Sequence, residues 1–251
     1  MKRWSGPAIY ALLLTILTSA GATAEPIAMP DIGGTVAGLA TPGGISSVIQ
    51  ILFMMTVLSL APGILIMTTS FTRIVVVLSF LRNAMGTQQA PSNQIVIGLA
   101  LFLTFFIMSP VWQQINVQAV QPYKSKKISQ EEAFRRGVNP IRKFMLSQTR
   151  EKDLALFMSL SKLPRPKSPA DIPTLTIIPA FMVSELRTAF QIGFLLYIPF
   201  IVVDMVVASV LMSMGMMMLP PVMISLPFKI LLFVLVDGWG LVLGSLVKSF
   251  A

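Results

Sequence analysis

Long apolar stretches separated by short polar turns dominate the chain. Residues 45–67 and 94–112 contain no charged residue, and the stretch 188–228 contains a single one, Asp204. A helix needs about 20 predominantly apolar residues to cross a bilayer, so each stretch is long enough to do so. The pattern predicts an all-α integral membrane protein with two long apolar helical hairpins, 45–112 and 179–251.

Turn signals divide each hairpin. Pro62-Gly63 predicts a kink or break in the first apolar stretch, because proline lacks the backbone donor and clashes with the preceding turn. The apolar piece 74–81 is too short to cross a bilayer alone, and 86–93 has the composition of a turn. In the second hairpin, Pro220-Pro221 marks the turn between the outgoing and the returning arm.

The segment 113–178, which lies between the two hairpins, differs from them because it is rich in charged residues. It holds twelve basic and five acidic residues, a net charge of +7 out of +9 for the whole chain. Ser129 and Glu132 have the spacing of a capping box, and apolar residues follow at helical spacing at Phe134, Val138, Ile141 and Met145. A second helix is predicted over 149–160, and the prolines after it predict an extended linker. We therefore expect a small basic helical domain, with either a solvated surface or one that binds acidic lipids or an acidic subunit.

Composition excludes several classes of function. The chain is 55% hydrophobic and only 12% charged, whereas globular domains are roughly 25% charged. It contains neither cysteine nor histidine, which removes thiolate nucleophiles, disulfides and the usual zinc ligands. It also lacks a GxxxxGK[ST] phosphate-binding loop, and its basic residues are not interleaved with aromatics as in a nucleic-acid groove. We expect no enzyme activity, no cofactor and no nucleic-acid partner.

The N-terminus has the pattern of a secretory signal. Lys2 and Arg3 precede a short apolar core, and small residues lead up to Ala24. We predict cleavage after Ala24, a flexible arm over 25–44, and an extracytoplasmic basic domain. The alternative is an uncleaved N-terminus with five spans, which would place the basic domain on the inner side as the positive-inside preference favours.

Five methionines lie within seven residues at the turn of the second hairpin. Methionine side chains are unbranched and polarizable, so such a cluster suits a surface that packs against objects of changing shape. One methionine is ordinarily core filler, but five beside a glycine and a Pro-Pro turn favour an adaptable surface. The cluster comprises Met212, Met214, Met216, Met217 and Met218.

Isolated charges in apolar surroundings are candidate assembly sites. For Asp204 the interpretations are an ion-pair partner, with Lys229 and Arg187 as candidates, a protonated buried carboxyl, or a proton carrier. Glu185 and Arg187 stand two positions apart and cannot face each other on one helix. We therefore expect each to meet something else, preferably on another subunit, with solvation at an interface as the alternative. Arg73 is expected either to reach outward or to pair with an acid on another chain.

Several long strings carry a resemblance to a known family. They closely resemble the signature stretches of the FliP family of flagellar type III export gate proteins, which is related to the SctR family of virulence secretion systems. The similar strings are Thr69–Ile74 (TSFTRI), 86–89 (GTQQ) with 91–93 (PSN), Pro179–Phe194 (PAFMVSELRTAFQIGF) and Pro199–Ser209 (PFIVVDMVVAS).

The resemblance implies a pore-forming subunit of a protein export channel in the bacterial inner membrane, within the flagellar basal body. It implies a homo-pentamer that assembles with FliQ and FliR, works with FlhA and FlhB, and passes unfolded flagellar proteins. The methionine cluster would then be a gasket that closes the channel. It also implies that the hairpins pack largely against other subunits, so that hydropathy reports protein contact as well as lipid contact.

Two other classes of protein remain open from the residues themselves. An ion-coupled small-solute transporter would use Asp204 as its coupling site and would work without partner subunits. A membrane-embedded enzyme is the third possibility, and the absence of a recognisable nucleophile counts against it.

Overall fold

The computed structural model describes residues 42–87, 90–161, 168, 171–216 and 218–250, with side chains from residue 49 onward. Every regular element within these ranges is a helix. The chain divides into two compact units, 1–59 and 60–251. The predicted signal, its cleavage at Ala24 and the arm up to residue 41 lie outside the described residues.

The first hairpin region contains three helices. They are α1 (Pro42–Met67), α2 (Phe71–Ala84) and α3 (Asn93–Ile115). Of the kink or break predicted at Pro62-Gly63, the break does not occur, because the helix continues through both residues. A proline removes only one hydrogen bond of the ladder, and an uninterrupted apolar sequence on both sides favours continuation of the helix. The short apolar piece 74–81 forms the middle of α2, which packs on α3 and on the long helix of the second hairpin.

The basic insertion begins as a continuation of α3, with no interruption of the helix up to Lys124. A π-helical turn, Asn116–Val120, and α4 (Gln121–Lys124) extend α3, and α5 (Gln130–Gln148) and α6 (Glu151–Leu160) follow. The Ser129 hydroxyl accepts a hydrogen bond from the Glu132 backbone N–H at 3.3 Å, as the capping spacing predicts. Most of the expected proline-rich linker lies outside the described residues.

The second hairpin consists of one long helix and two short ones. Its elements are α7 (Thr174–Ser213), α8 (Pro221–Leu235) and α9 (Gly238–Lys248). The returning arm, expected as one stretch, is broken at Val236 and Asp237, and α8 and α9 meet at 64°. Asp237 adopts the left-handed conformation at φ 50°, which ends α8 and redirects the chain.

Two apolar clusters hold the described helices of the second unit together. The larger joins α2, α3, the middle of α7 and the returning arm, with Ile74, Leu81, Ala189 and Leu246 among its buried members. The smaller joins the insertion to the start of α7. It contains Met145, Ile172, Ile177 and Phe181. Phe134, expected on the apolar face of α5, is 76% exposed, so the packed face starts further along the helix.

The helices match the predicted all-α membrane fold. Within the described residues, three helical stretches are long and apolar enough to cross a membrane: Ile49–Met67, Asn93–Lys124 and Thr174–Ser213. Counting the bent pair α8 and α9 as one span raises the number to four. Large apolar side chains such as Phe53, Leu58 and Phe102 stand on the surface of these helices, where only lipid or another protein chain can remove them from water.

Candidate functional site: the methionine loop and the buried ion pairs

The methionine cluster forms the connection between α7 and α8. Gly215 has φ +75°; its N–H donates to the Met212 carbonyl, and the Met216 N–H donates to the Leu211 carbonyl, both at 3.0 Å. This pair of bonds is a Schellman motif, which places a glycine in the left-handed region directly after a helix. Pro221 then occupies the first position of α8, where the missing proline N–H costs no helix bond.

The methionines of this loop point away from their own chain. Met212 is 59% exposed, Met214 66%, Met216 42% and Met218 98%, while Met217 lies outside the described residues. By contrast, Met85, Met108 and Met145 are buried in the helical core. The four described loop methionines are therefore surface groups, and burying them requires lipid, a partner or a second copy.

Arg73 and Glu185 form a buried ion pair at the junction of four helices. The Arg73 Nε donates to Glu185 Oε2 at 2.9 Å, and Nη2 donates to Oε1. Nη2 also donates to Gln148 Oε1, and Nη1 donates to the carbonyl and the hydroxyl of Ser249 at 2.8 and 3.0 Å. The guanidinium lies 3.8 Å from the centre of the Phe250 ring. All five N–H groups of Arg73 are thus used.

Asp204 and Lys229 form a second pair, close to the methionine loop. Lys229 Nζ lies 2.6 Å from Asp204 Oδ2, and the Ser225 hydroxyl donates to Asp204 Oδ1. Nζ also donates to the Ala84 carbonyl at 3.4 Å. Lys229 and Ser225 are buried, whereas the Asp204 side chain is 29% exposed. The pair joins α7 to α8.

Arg187 completes the set by pairing with the insertion. Its Nη2 lies 3.2 Å from Asp153 Oδ1, and Asp153 also accepts a hydrogen bond from the Ser184 hydroxyl at 2.8 Å. Ser184 in turn accepts from the Arg150 backbone N–H at 3.0 Å. These bonds fasten the start of α6 to α7.

The charged residues singled out from the sequence therefore have partners within one chain. Glu185 and Arg187 do not pair with each other, as their spacing requires. For Glu185 and Arg187 the sequence favoured partners on another subunit. In the structure both partners lie in the same chain: Glu185 pairs with Arg73, and Arg187 pairs with Asp153. The physical reason is that α7 packs along both α2 and α6, which brings together residues far apart in sequence.

Several participants were missed by sequence reasoning. Ser225 lies four residues before Lys229, hence on the same helix face, and this spacing could have suggested it as a second ligand of Asp204. Gln148, Ser249 and Phe250 carry no such signal, because only the packing of α5 and α9 brings them to Arg73. No cluster of three or more acidic side chains suited to a metal ion occurs among the described residues.

Comparison with known proteins identifies the family to which the chain is related. The chain matches the FliP family over residues 54–246, a range that covers α2 to α8, the methionine loop and most of α9. This chain belongs to the FliP family. The family resemblance expected from the signature strings is thereby confirmed.

Individual relatives match over most of their length. The flagellar biosynthetic protein FliP of Bacillus subtilis is 61% identical over 209 residues, covering 83% of this chain and 95% of the relative. The protein of the same name from Pectobacterium carotovorum is 57% identical, covering 80% and 78%. That of Caulobacter vibrioides is 52% identical over 241 residues, covering 96% of this FliP-family chain and 91% of the relative.

Proposed function

We propose that this chain is a pore-forming subunit of the flagellar type III protein export gate, in the bacterial inner membrane at the flagellar basal body. Membership of the FliP family and relatives named as flagellar biosynthetic proteins support a role in flagellar export. The long apolar helices support a place in the membrane. The chain acts in this role as a structural subunit without catalysis or cofactor.

The observation that carries the gate proposal is the exposure of the methionine loop. Gly215 fixes the loop where α7 ends, and the described methionines project from it instead of entering the core. When several copies surround an axis, these thioethers form an apolar ring that excludes water and ions by dewetting. Because methionine is flexible, the same ring yields to an unfolded polypeptide.

The exposed apolar helices support assembly with other chains. Each subunit packs beside copies of itself in a pentamer and beside the partner subunits FliQ and FliR, with FlhA and FlhB as further components of the apparatus. Unfolded flagellar proteins are the substrates. Membrane lipid covers whatever apolar surface the subunits leave open.

Reconstitution tests the gate directly. Replacing Met214, Met216 and Met218 by alanine should raise ion conductance through the complex assembled with its partner subunits. The matched control replaces Met54, Met55 and Met67, which are also exposed but lie on α1, and should leave conductance unchanged. Equal conductance in both triple variants and the unaltered complex would contradict the methionine gasket.

Ion-coupled transport by this chain alone receives less support. Asp204 is bonded to Lys229 and Ser225, an arrangement that suits a structural carboxylate better than a free coupling site. Purified single-component liposomes that accumulate a solute would revive this alternative.

A further inference from the structure

Two ion pairs hold the second hairpin, one at each end, and between them each arm contains one position where the helix backbone is interrupted or weakened. We define the base as Arg73 and the helices that it joins, namely α2, the end of α5, the first part of α7 and α9. We define the tip as the second part of α7, the methionine loop and α8. Both definitions concern residues within the compact unit 60–251.

One guanidinium, that of Arg73, bonds α2 to the other three helices of the base. Arg73 binds Glu185 with two N–H groups, Gln148 with one, and the last turn of α9 through Ser249. A cation at the carboxyl end of a helix is also favoured by the helix dipole. α9 therefore cannot separate from α2 or α7 without leaving two N–H groups of the buried guanidinium without acceptors, which is unfavourable.

The tip is fixed by the other pair. Asp204 on α7 holds both Lys229 and Ser225 on α8, so the two helices that flank the methionine loop are joined about one to two and a half turns from its ends. A displacement of α8 must carry the second part of α7 with it.

One weak point on each arm separates the base from the tip. In α7, Pro199 has no N–H and leaves one carbonyl of the preceding turn without its helix partner. On the returning arm, Asp237 is a non-glycine residue at φ 50° without a side-chain cap, a conformation that L-residues adopt only at a cost. Glu185 precedes Pro199 and Asp204 follows it, so the two ion pairs lie on opposite sides of both points.

Two buried aromatic residues of the tip that pack against the base lie close to the two weak points. Phe200 and Phe233 are buried, and they lie one residue from Pro199 and four from Asp237, where a rotation displaces atoms little. Further along α8, Lys229 Nζ donates to the Ala84 carbonyl at 3.4 Å, which is longer than an ordinary hydrogen bond. Leu226 lies beside Gly86, with its Cδ1 3.6 Å from the position that a Cβ would take there.

We propose that the second hairpin works as two bodies that pivot at Pro199 and Asp237, with the methionine loop carried by the tip while Arg73 holds the base. The use of this motion to widen the channel rests on the proposed gate function. The motion itself does not, and it can be measured separately.

Distances between spin labels test the proposal in the assembled complex. The chain contains no cysteine, so within it labels attach only at introduced positions, and the chain is labelled before it is assembled with its partner subunits. Diluting labelled with unlabelled copies keeps each measured pair within one chain. The tip-to-base pair is Met218→Cys with Ser245→Cys. The control within the base is Lys143→Cys with Ser245→Cys, and the control within the tip is Val206→Cys with Met223→Cys.

We expect a broad or two-peaked distance distribution for the tip-to-base pair and narrow ones for both controls. Pro199→Ala restores the helix bond and should narrow the tip-to-base distribution, whereas Asp237→Gly removes the backbone restriction and should broaden it. Arg73→Lys should broaden the base control and leave the tip control unchanged. A tip-to-base distribution as narrow as the controls, or one that neither hinge variant changes, would overturn the two-body hairpin. Narrowing by Pro199→Ala with unchanged protein export would support the hinge and count against its use in gating.

Discussion

Arg73 shows how one side chain can determine a junction of helices. A guanidinium with five N–H groups satisfies acceptors on three neighbouring elements at once, which the three donors of a lysine cannot do in a fixed plane. The ion pair with Glu185 is buried on both sides, with 3% and 0% of the two side chains exposed. In such surroundings the cost of removing one partner exceeds the net contribution of the pair.

We expect Glu185→Ala to destabilise the chain by about 3–5 kcal/mol, because it leaves the Arg73 charge buried without its carboxylate. Thermal or denaturant unfolding in detergent measures the change. Glu131→Ala, an exposed acidic position on α5, should change stability by less than about 0.5 kcal/mol. Equal effects of the two substitutions would refute the assignment of Arg73 and Glu185 as a buried pair.

The turn at Gly215 can be tested by substitution with alanine, because the same substitution at Gly63 should change the stability in the opposite direction. Gly215→Ala forces a Cβ onto a backbone with φ +75° and should cost about 1–2 kcal/mol. Gly63→Ala, in the interior of α1 with open space around its Cβ position, should be neutral or stabilising by up to about 1 kcal/mol. Unfolding midpoints of both variants check the signs, and a stabilised Gly215→Ala chain would contradict the helix-ending turn.

At the scale of elements, the crossing of α2 and α7 depends on a missing side chain. A Cβ added at Gly193 would lie 2.7 Å from Phe80 Cγ, so the helices approach more closely than any larger residue permits. Phe80 also packs edge-on against Phe190 with ring centres 5.2 Å apart, which limits its freedom to move aside. Close approach at glycine is a usual way for apolar helices to associate.

Gly193→Ala should therefore destabilise the chain by about 1–3 kcal/mol through overpacking. Adding Phe80→Leu should recover part of this loss by making room for the new methyl group. Gly98→Ala on α3 has nothing within 4 Å of the added Cβ and serves as the matched control. A loss in Gly193→Ala that Phe80→Leu does not reduce would argue against this contact as its cause.

The start of α5 carries a pH-dependent element. The Arg136 and Arg135 guanidiniums lower the pKa of Glu132 from its ordinary value of 4.5. Because the folded-state pKa is the lower one, the carboxylate stabilises the fold above pH 4.5, and this contribution is lost as the pH falls through the lowered pKa. The unfolding midpoint of Glu132→Gln should thus lie below that of the unaltered chain at neutral pH and converge with it in acid. Glu131→Gln forms neither ion pair and should show no such convergence; a constant difference for Glu132→Gln at all pH values would contradict the pairing.

At the scale of the whole molecule, local sequence patterns predicted the helices, whereas the contacts between distant residues depend on how the helices pack. Helices, hairpins and the basic insertion follow from run lengths and turn signals, because these depend on the local sequence alone. The break at Asp237 was missed, although Asp237-Gly238 is itself a turn signal. The pairing of Arg73 with Glu185 was beyond sequence reasoning, since the two residues are 112 positions apart and meet only when α2 packs on α7.

The ion pair of Asp204 with Lys229 lies within one chain, and a charge exchange in the assembled oligomer can test this placement. Asp204→Lys leaves two ammonium groups facing each other between α7 and α8, and Lys229→Asp leaves two carboxylates. Each single change should cost about 3–5 kcal/mol and abolish flagellar assembly in cells that depend on the variant chain. Combining Asp204→Lys with Lys229→Asp restores an attractive ion pair only if the two substituted side chains face each other.

Because Asp204 and Lys229 of one chain lie 2.6 Å apart, the two substitutions should restore function when they are combined in one chain. They should fail to do so when Asp204→Lys and Lys229→Asp chains are expressed together as separate copies. A pair formed between neighbouring subunits makes a different prediction, because mixed copies would then recreate attractive contacts at some of the interfaces. Motility and immunodetection of the assembled complex, with the two singly substituted chains as controls, separate the two arrangements. Rescue by the mixed copies would move this ion pair from the interior of the subunit to the interface between subunits.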